Sequence, residues 1–203
     1  MQGGYLHNIV IDFYSSNNVC GSYITPEIII YIMSEKFLDF LLTRRSIRRF
    51  EDREVPLDLL VKAVDVARFA PSAHNNQPWE FIIVTDKDKL EALSTMYRWA
   101  RPLKRAKACI AIVTDPELSP RTHLIDGANA TMYVWLALHA LGLGAVWINA
   151  LENEEMEKLL KIPENKTLLA ILAIGWPAEK PEPRPRKRLE EVAYLEEYGR
   201  KLE

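Results

Sequence analysis

The chain has 203 residues, of which 48% are hydrophobic, and a formal net charge of −2. This length and apolar content support one globular domain with a sizeable core, and the near-neutral balance argues against a protein that binds nucleic acid or another polyanion over its whole surface. Two cysteines, Cys20 and Cys109, make no disulfide framework, so a reducing, cytoplasmic setting is expected, and no apolar run approaches the length of a membrane span.

The first 33 residues hold no Lys or Arg. They therefore lack the positive start of a secretory signal. The shift in composition marks a boundary between Met33 and Ser34. Residues 1–33 read as an N-terminal extension, arising either from start-site choice at Met33 or as a segment that packs on the core, and 34–203 as the main domain. Ser34 predicts the N-cap of a helix carrying Phe37, Leu38, Leu41 and Leu42. Pro56 precedes a helix over 57–67, closed off by Pro71. Residues 79–85 predict a strand, and Asp86 caps a helix that runs to Met96. Residues 108–114 predict a second, buried strand that carries Cys109.

Residues 126–141 predict a long helix, apolar on most faces, stopped by Gly142 and Gly144. So few polar residues imply burial all round, which a small core supplies only with cover from a second subunit. A third strand follows at 145–149, a short polar helix at 152–160 and a fourth strand at 167–175. Pro181, Pro183 and Pro185 alternate with Glu182, Arg184 and Arg186 in an extended surface segment. The charged tail 189–202 is expected to be helical in part. Strands alternating with helices imply layered α/β or α+β architecture, and the pattern alone favours a doubly wound sheet.

Two polar stretches stand out. Arg44-Arg45-Ser46-Ile47-Arg48-Arg49-Phe50 concentrates guanidinium groups and a hydroxyl, the donor set that suits a phosphate. In isolation such arginines also suit a helix C-terminus, where the dipole favours cations. Pro71-Ser72-Ala73-His74-Asn75-Asn76-Gln77-Pro78-Trp79 is a turn-forming loop that opens a strand. By itself it reads equally as a helix stop. His74, in an exposed loop, reads as polar filler more readily than as an acid.

In this order and spacing, the two stretches resemble the FMN-binding signature of the nitroreductase family, over about residues 35–193. The resemblance implies an α+β fold, a mixed central sheet sandwiched by helices in an intertwined homodimer. It implies FMN as cofactor, with NADH or NADPH as electron donor and a small-molecule acceptor such as a nitroaromatic, quinone or flavin, reduced by a ping-pong two-electron mechanism. Arg44 and Ser46 match the phosphate and ribityl contacts, with Arg45 beside them. Arg48 matches the residue at the flavin N1/C2=O edge, where a fixed cation stabilises the reduced ring. Pro71, Ser72, Ala73 and Asn75 match a loop contributed by the partner subunit. In the segment Trp147-Ile148-Asn149-Ala150, the backbone amides of Asn149 and Ala150 match donors near flavin N5 and O4. Arg186 and Arg188 match a late basic pair that returns to the phosphate. Arg101 and Lys104 are loose candidates for the pyrimidine edge. No side chain is required as a nucleophile, and the flavin carries the hydride.

The same scaffold also implies alternatives: flavin destruction, reductive dehalogenation, or a non-enzymatic flavin or nucleotide carrier. Other chemistry is set aside. His7, His74, His123 and His139 show no metal-ligand spacing, and the chain has neither a G-x-G-x-x-G nor a P-loop motif. No nucleic-acid or membrane partner is expected.

Overall fold

A computed structural model describes residues 26–202, so His7, Cys20 and most of the 1–33 extension lie outside the described residues. The chain divides into two units, Met1–Arg44 and Arg45–Glu203. In the first, the described element is helix α1 (Pro26–Thr43). Ser34 sits in its interior rather than at its N-cap, and the helix runs continuously through the expected Met33/Ser34 boundary. Ile28, Ile29, Ile30, Ile32 and Met33 extend the helical run upstream, which a cap-based reading from Ser34 passes over.

The second unit alternates helices and strands: α2 (Leu57–Ala67), β1 (Trp79–Val84), α3 (Lys87–Thr95), β2 (Ala108–Thr114), α4 (His123–Ala140), β3 (Gly144–Asn149), α5 (Glu154–Leu160) and β4 (Thr167–Gly175). Local chemistry sets most of these boundaries. Asp86 caps α3 by accepting from the Lys89 N–H at 2.8 Å, and Asn153 caps α5 through Met156 N–H at 3.0 Å. Gly142, at φ +78°, takes the left-handed turn after α4. That helix starts at His123, ahead of the expected Asp126. The C-terminal tail forms one short 3₁₀ turn, Leu189–Glu191, rather than a longer helix.

The strands form one sheet in the order β1-β2-β4-β3, every neighbouring pair antiparallel. A parallel contribution comes from an isolated bridge between Ser46 and Ala145. Antiparallel pairing replaces the doubly wound sheet favoured by the pattern alone, because strands adjacent in space run in opposite directions despite the helices between them.

Side chains alternate across the sheet. Ile110, Ile112, Leu172 and Ile174 meet Leu60 and Ala63 of α2 and Val134 and Leu138 of α4 on one face. Cys109, Ala111, Ile171 and Ala173 meet Leu90 and Leu93 of α3 and Met156 of α5 on the other. Every residue of β2 is buried, and all of β4 but Thr167. This layered α+β arrangement places β1 and β3 at opposite edges. They stand three interstrand steps apart, about 14 Å.

Candidate active site

The segment from Ser46 to Phe50 is fastened along the outer edge of β3 and the end of β4. Ile47 N–H donates to the Ala145 carbonyl at 2.9 Å, Glu51 N–H to Trp176 at 2.9 Å, and Ala178 N–H to Arg49 at 3.0 Å. Ile47 and Phe50 are buried and act as anchors. Burying each stabilises the fold by about 1.5–3 kcal/mol. Two glycines make room for them. A Cβ on Gly144 would lie 2.8 Å from Ile47 Cγ2, and one on Gly175 would lie 2.8 Å from Phe50 Cβ. With the apolar side chains turned inward, Ser46, Arg48 and Arg49 are left facing outward.

Glu179 completes the clamp. Its Oε1 accepts from the Arg48 and Arg49 N–H groups at 2.6 and 3.1 Å, and its Oε2 from Arg49 Nε at 3.1 Å. Burial alone would raise this carboxyl, but the two amides and the guanidinium together hold it below its ordinary 4.5. Arg48 turns its guanidinium back onto the Ser46 carbonyl at 3.3 Å.

The Pro71–Pro78 loop is held differently. His74, Asn75 and Gln77 occupy the left-handed region, at φ +52°, +57° and +51°. For a residue other than Gly or Asn this costs about 1–2 kcal/mol. Asp126, 4% exposed near the start of α4, offsets the strain. Its Oδ1 accepts from Ala73 N–H at 3.2 Å, and its Oδ2 from the Thr122 hydroxyl at 2.9 Å. Asn76 Nδ2 donates to the Leu118 carbonyl and the Ser119 hydroxyl, both at 3.0 Å, and Ser72 Oγ accepts from Gln77 N–H at 3.0 Å. The Ser72 hydroxyl keeps its own proton to donate. The Asn75 side chain makes no hydrogen bond among the described residues.

In β3 the ladder alternates. Ala150 N–H donates to the Leu169 carbonyl at 3.2 Å. The donor expected there is therefore taken up by the sheet, a correction to the reading of Ala150. Because bonded and non-bonded pairs alternate in antiparallel strands, Trp147 and Asn149 turn their amides to the open edge. Ile148 is buried in the core and Asn149 is exposed.

The structure brings some candidates together and separates others. Ser46 and Arg48 share one edge with Trp147 and Asn149. The Ser72–Asn75 loop precedes β1, at the far edge of the sheet. Arg44 closes the helical unit just after α1, and Arg45 opens the other. Arg186 and Arg188 lie on the exposed 180–188 segment. Arg186 bonds to its own backbone neighbours, and Arg188 lies near Glu190 and Glu191. No hydrogen bond among the described residues ties either to Ser46 or Arg48. Lys104 pairs with Glu91 at 2.9 Å, whereas Arg101 lines a cleft with Arg48.

The Nitroreductase family profile matches residues 41–106 and 96–176. This chain belongs to the nitroreductase family. A protein of Archaeoglobus fulgidus, provisionally named an NADH dehydrogenase/NAD(P)H nitroreductase, is 35% identical over 153 residues, covering 72% of this chain and 88% of its own. An iodotyrosine deiodinase of Thermotoga neapolitana is 29% identical over 179 residues, covering 76% and 94%. Among solved structures, an FMN-dependent nitroreductase of Clostridium difficile superposes with a TM-score of 0.72 at 30% identity, covering 79% of this chain and 99% of that one. The fold is accordingly that of the nitroreductases, and the family is one of oxidoreductases.

Within this nitroreductase-family chain, the sequence reading missed Asp126 and Glu179. Asp126 had a signal, a carboxylate near the start of an otherwise apolar helix. Glu179 had none, since it lies far along the chain from the amides it binds. Cys109 is a buried thiol, pushed up to about 12 by desolvation, and is chemically inert. Among the described residues no cluster of His, Cys, Asp or Glu suits a metal, and no helix is long and apolar enough to cross a membrane.

Proposed function

We propose that this chain is an FMN-dependent oxidoreductase that takes electrons from NADH or NADPH and delivers them in pairs to a small acceptor, such as a nitroaromatic, quinone or flavin. The observation that carries this reading is the rigid Ser46–Arg48 segment beside the open edge of β3. There a hydroxyl, a guanidinium and the outward amide of Asn149 share one side of the sheet.

This donor set fits the cofactor. FMN, when bound, supplies hydride exchange with donor and acceptor. The residues of the chain bind and orient it. Arg44, Arg45, Ser46, Arg186 and Arg188 hold the phosphate and ribityl chain. Arg48 places a fixed positive charge against the pyrimidine edge, favouring negative charge there. The Asn149 amide donates at the ring edge, and Trp147 flanks it. One pocket serves donor and acceptor in turn, which gives ping-pong kinetics.

The loop carrying Pro71, Ser72, Ala73 and Asn75 belongs to the site from a second copy of the chain. Support comes from its place beside β1, four interstrand steps from Ser46, or about 19 Å across the sheet. The functional unit is then a homodimer, with 34–203 as the FMN-binding domain and 1–33 as an extension outside it.

The test is spectroscopic. The purified protein should be yellow, release FMN rather than FAD on acid extraction, and bleach with NADH or NADPH under argon. Failure to bind added FMN, or FAD as the released species, overturns the reading. A flavin-loaded monomer in light scattering overturns the shared site.

A second reading, reductive dehalogenation, draws on the similarity to the iodotyrosine deiodinase. It predicts iodide release from an iodinated phenol by the reduced protein. Nitroaromatic turnover without any halide release would exclude it.

A further inference from the structure

Three clefts border the 3₁₀ segment Arg98–Arg105, and two of them contrast in charge. One, of about 460 Å³, is lined by both signs, and two of its three lysines are paired within it: Lys107 with Asp52 and Glu54, Lys104 with Glu91. The other, of about 430 Å³, is lined by Arg48, Arg49, Arg98, Trp99, Arg101, Pro102 and Arg105, with no carboxylate among them. Arg49 is held by Glu179. Arg101 and Arg105 make no ion pair among the described residues. The Arg98 guanidinium lies 5.2 Å from the centre of the Trp99 ring, and that ring is 64% exposed.

A wall of five arginines, of which Arg49 alone has a carboxylate partner among the described residues, is costly to assemble unless an anion neutralises the rest. The anion should carry several charges, because several guanidiniums converge. It should also carry a flat ring, because an exposed indole beside an arginine offers a stacking surface for a base. The volume exceeds what one carboxylate or phosphate needs. The cleft also adjoins the proposed flavin segment, since Arg48 belongs to both.

We propose that this cleft receives the 2′-phosphorylated adenosine end of the electron donor, so that the protein prefers NADPH to NADH. The inference rests on the donor-dependent reading above. Trp99 stacks on the adenine, and Arg98 and Arg105 bind the 2′-phosphate by charge-assisted hydrogen bonds. Each such contact is worth about a ten- to hundredfold change in affinity.

The probe is 2′,5′-ADP, titrated calorimetrically into the purified protein, with 5′-AMP and inorganic pyrophosphate as comparisons. This readout reports on the cleft whether or not the flavin reading holds, and FMN content is measured separately from the visible spectrum. The expected result is at least tenfold tighter binding of 2′,5′-ADP than of either comparison. R98A and R105E should each lose that preference by tenfold or more, and W99L should weaken both nucleotides. FMN content should be unchanged in all three, as the substituted side chains are exposed. NADPH should show at least a tenfold higher kcat/KM than NADH, reduced towards parity in R105E. Equal binding of 2′,5′-ADP and 5′-AMP, pyrophosphate as tight as 2′,5′-ADP, or variants that leave the preference intact would each overturn the assignment. So would equal use of the two nicotinamides.

Discussion

The Ser46–Phe50 segment and the Pro71–Pro78 loop are both short, polar and outside the named strands, yet they are held by opposite means. The first is tied by its backbone to a sheet edge and by two apolar anchors to the core, with glycines opposite to admit them. Its conformation is ordinary, and its polar side chains are free to face outward. The second carries three left-handed residues and has few apolar anchors of its own. A buried carboxylate and an asparagine hold it instead. A site that needs fixed guanidiniums can be built by packing. A loop that must present small polar groups in an unusual backbone shape needs hydrogen bonds from a rigid helix to define it.

The largest effect should come from breaking the packed segment. G144V puts branched carbon where a single Cβ would already meet Ile47 at 2.8 Å. Overpacking of this kind costs about 3 kcal/mol, at the upper end of its range. In a domain of this size that lowers Tm by about 6–12 °C. FMN content should fall with it, while hydrogen exchange at residues 71–77 stays slow. A melt unchanged from wild type would show that the segment is not wedged against β3.

The loop should break next. D126A leaves the Ala73 amide and Thr122 hydroxyl without their acceptor, at a cost of about 1–3 kcal/mol. Exchange at 71–77 should accelerate while residues 46–50 stay protected. D126N should be milder, because its amide oxygen still accepts from Ala73. Equal acceleration in both segments would mean that they do not stand on separate supports.

Glu179 sharpens the comparison through pH. Its carboxyl is held below 4.5 in the folded chain. A depressed carboxyl stabilises the fold fully above its unfolded value and loses that contribution as pH falls through its folded one. E179Q should therefore be less stable than wild type by about 1–2 kcal/mol at neutral pH, and the gap should close in acid below pH 4.5. Urea midpoints for both proteins across that range check it, and a gap that widens in acid would reverse the assigned sign.

The smallest effect belongs to R49A. Its side chain is 71% exposed, and such a pair contributes about 0–1 kcal/mol. A loss as large as that of E179Q would shift the weight of the clamp from the backbone amides to the guanidinium.

Much of this was legible along the chain. The strands at 79–84, 108–114, 144–149 and 167–175 follow from local apolar runs bounded by turn residues. Asp86 declares its own cap, and the Arg-Ser-x-Arg and Pro-Ser-Ala-x-Asn stretches announce polar work. The start of α1 was not legible, because apolar residues before Ser34 carry the helix past a plausible cap.

Periodicity and local hydrogen-bonding chemistry act over a few residues, and for that reason the elements, the turn residues and the identity of the polar stretches can be read along the chain. Direction of pairing, edge position and the use of each amide depend on which distant segments meet. It took the folded chain to show that the sheet is antiparallel, that Ala150 donates to Leu169 while Asn149 faces the open edge, and that Glu179 and Asp126 hold the two segments. The fold alone also placed those segments at opposite edges of one sheet, because strand order is fixed by long-range packing that no local window contains.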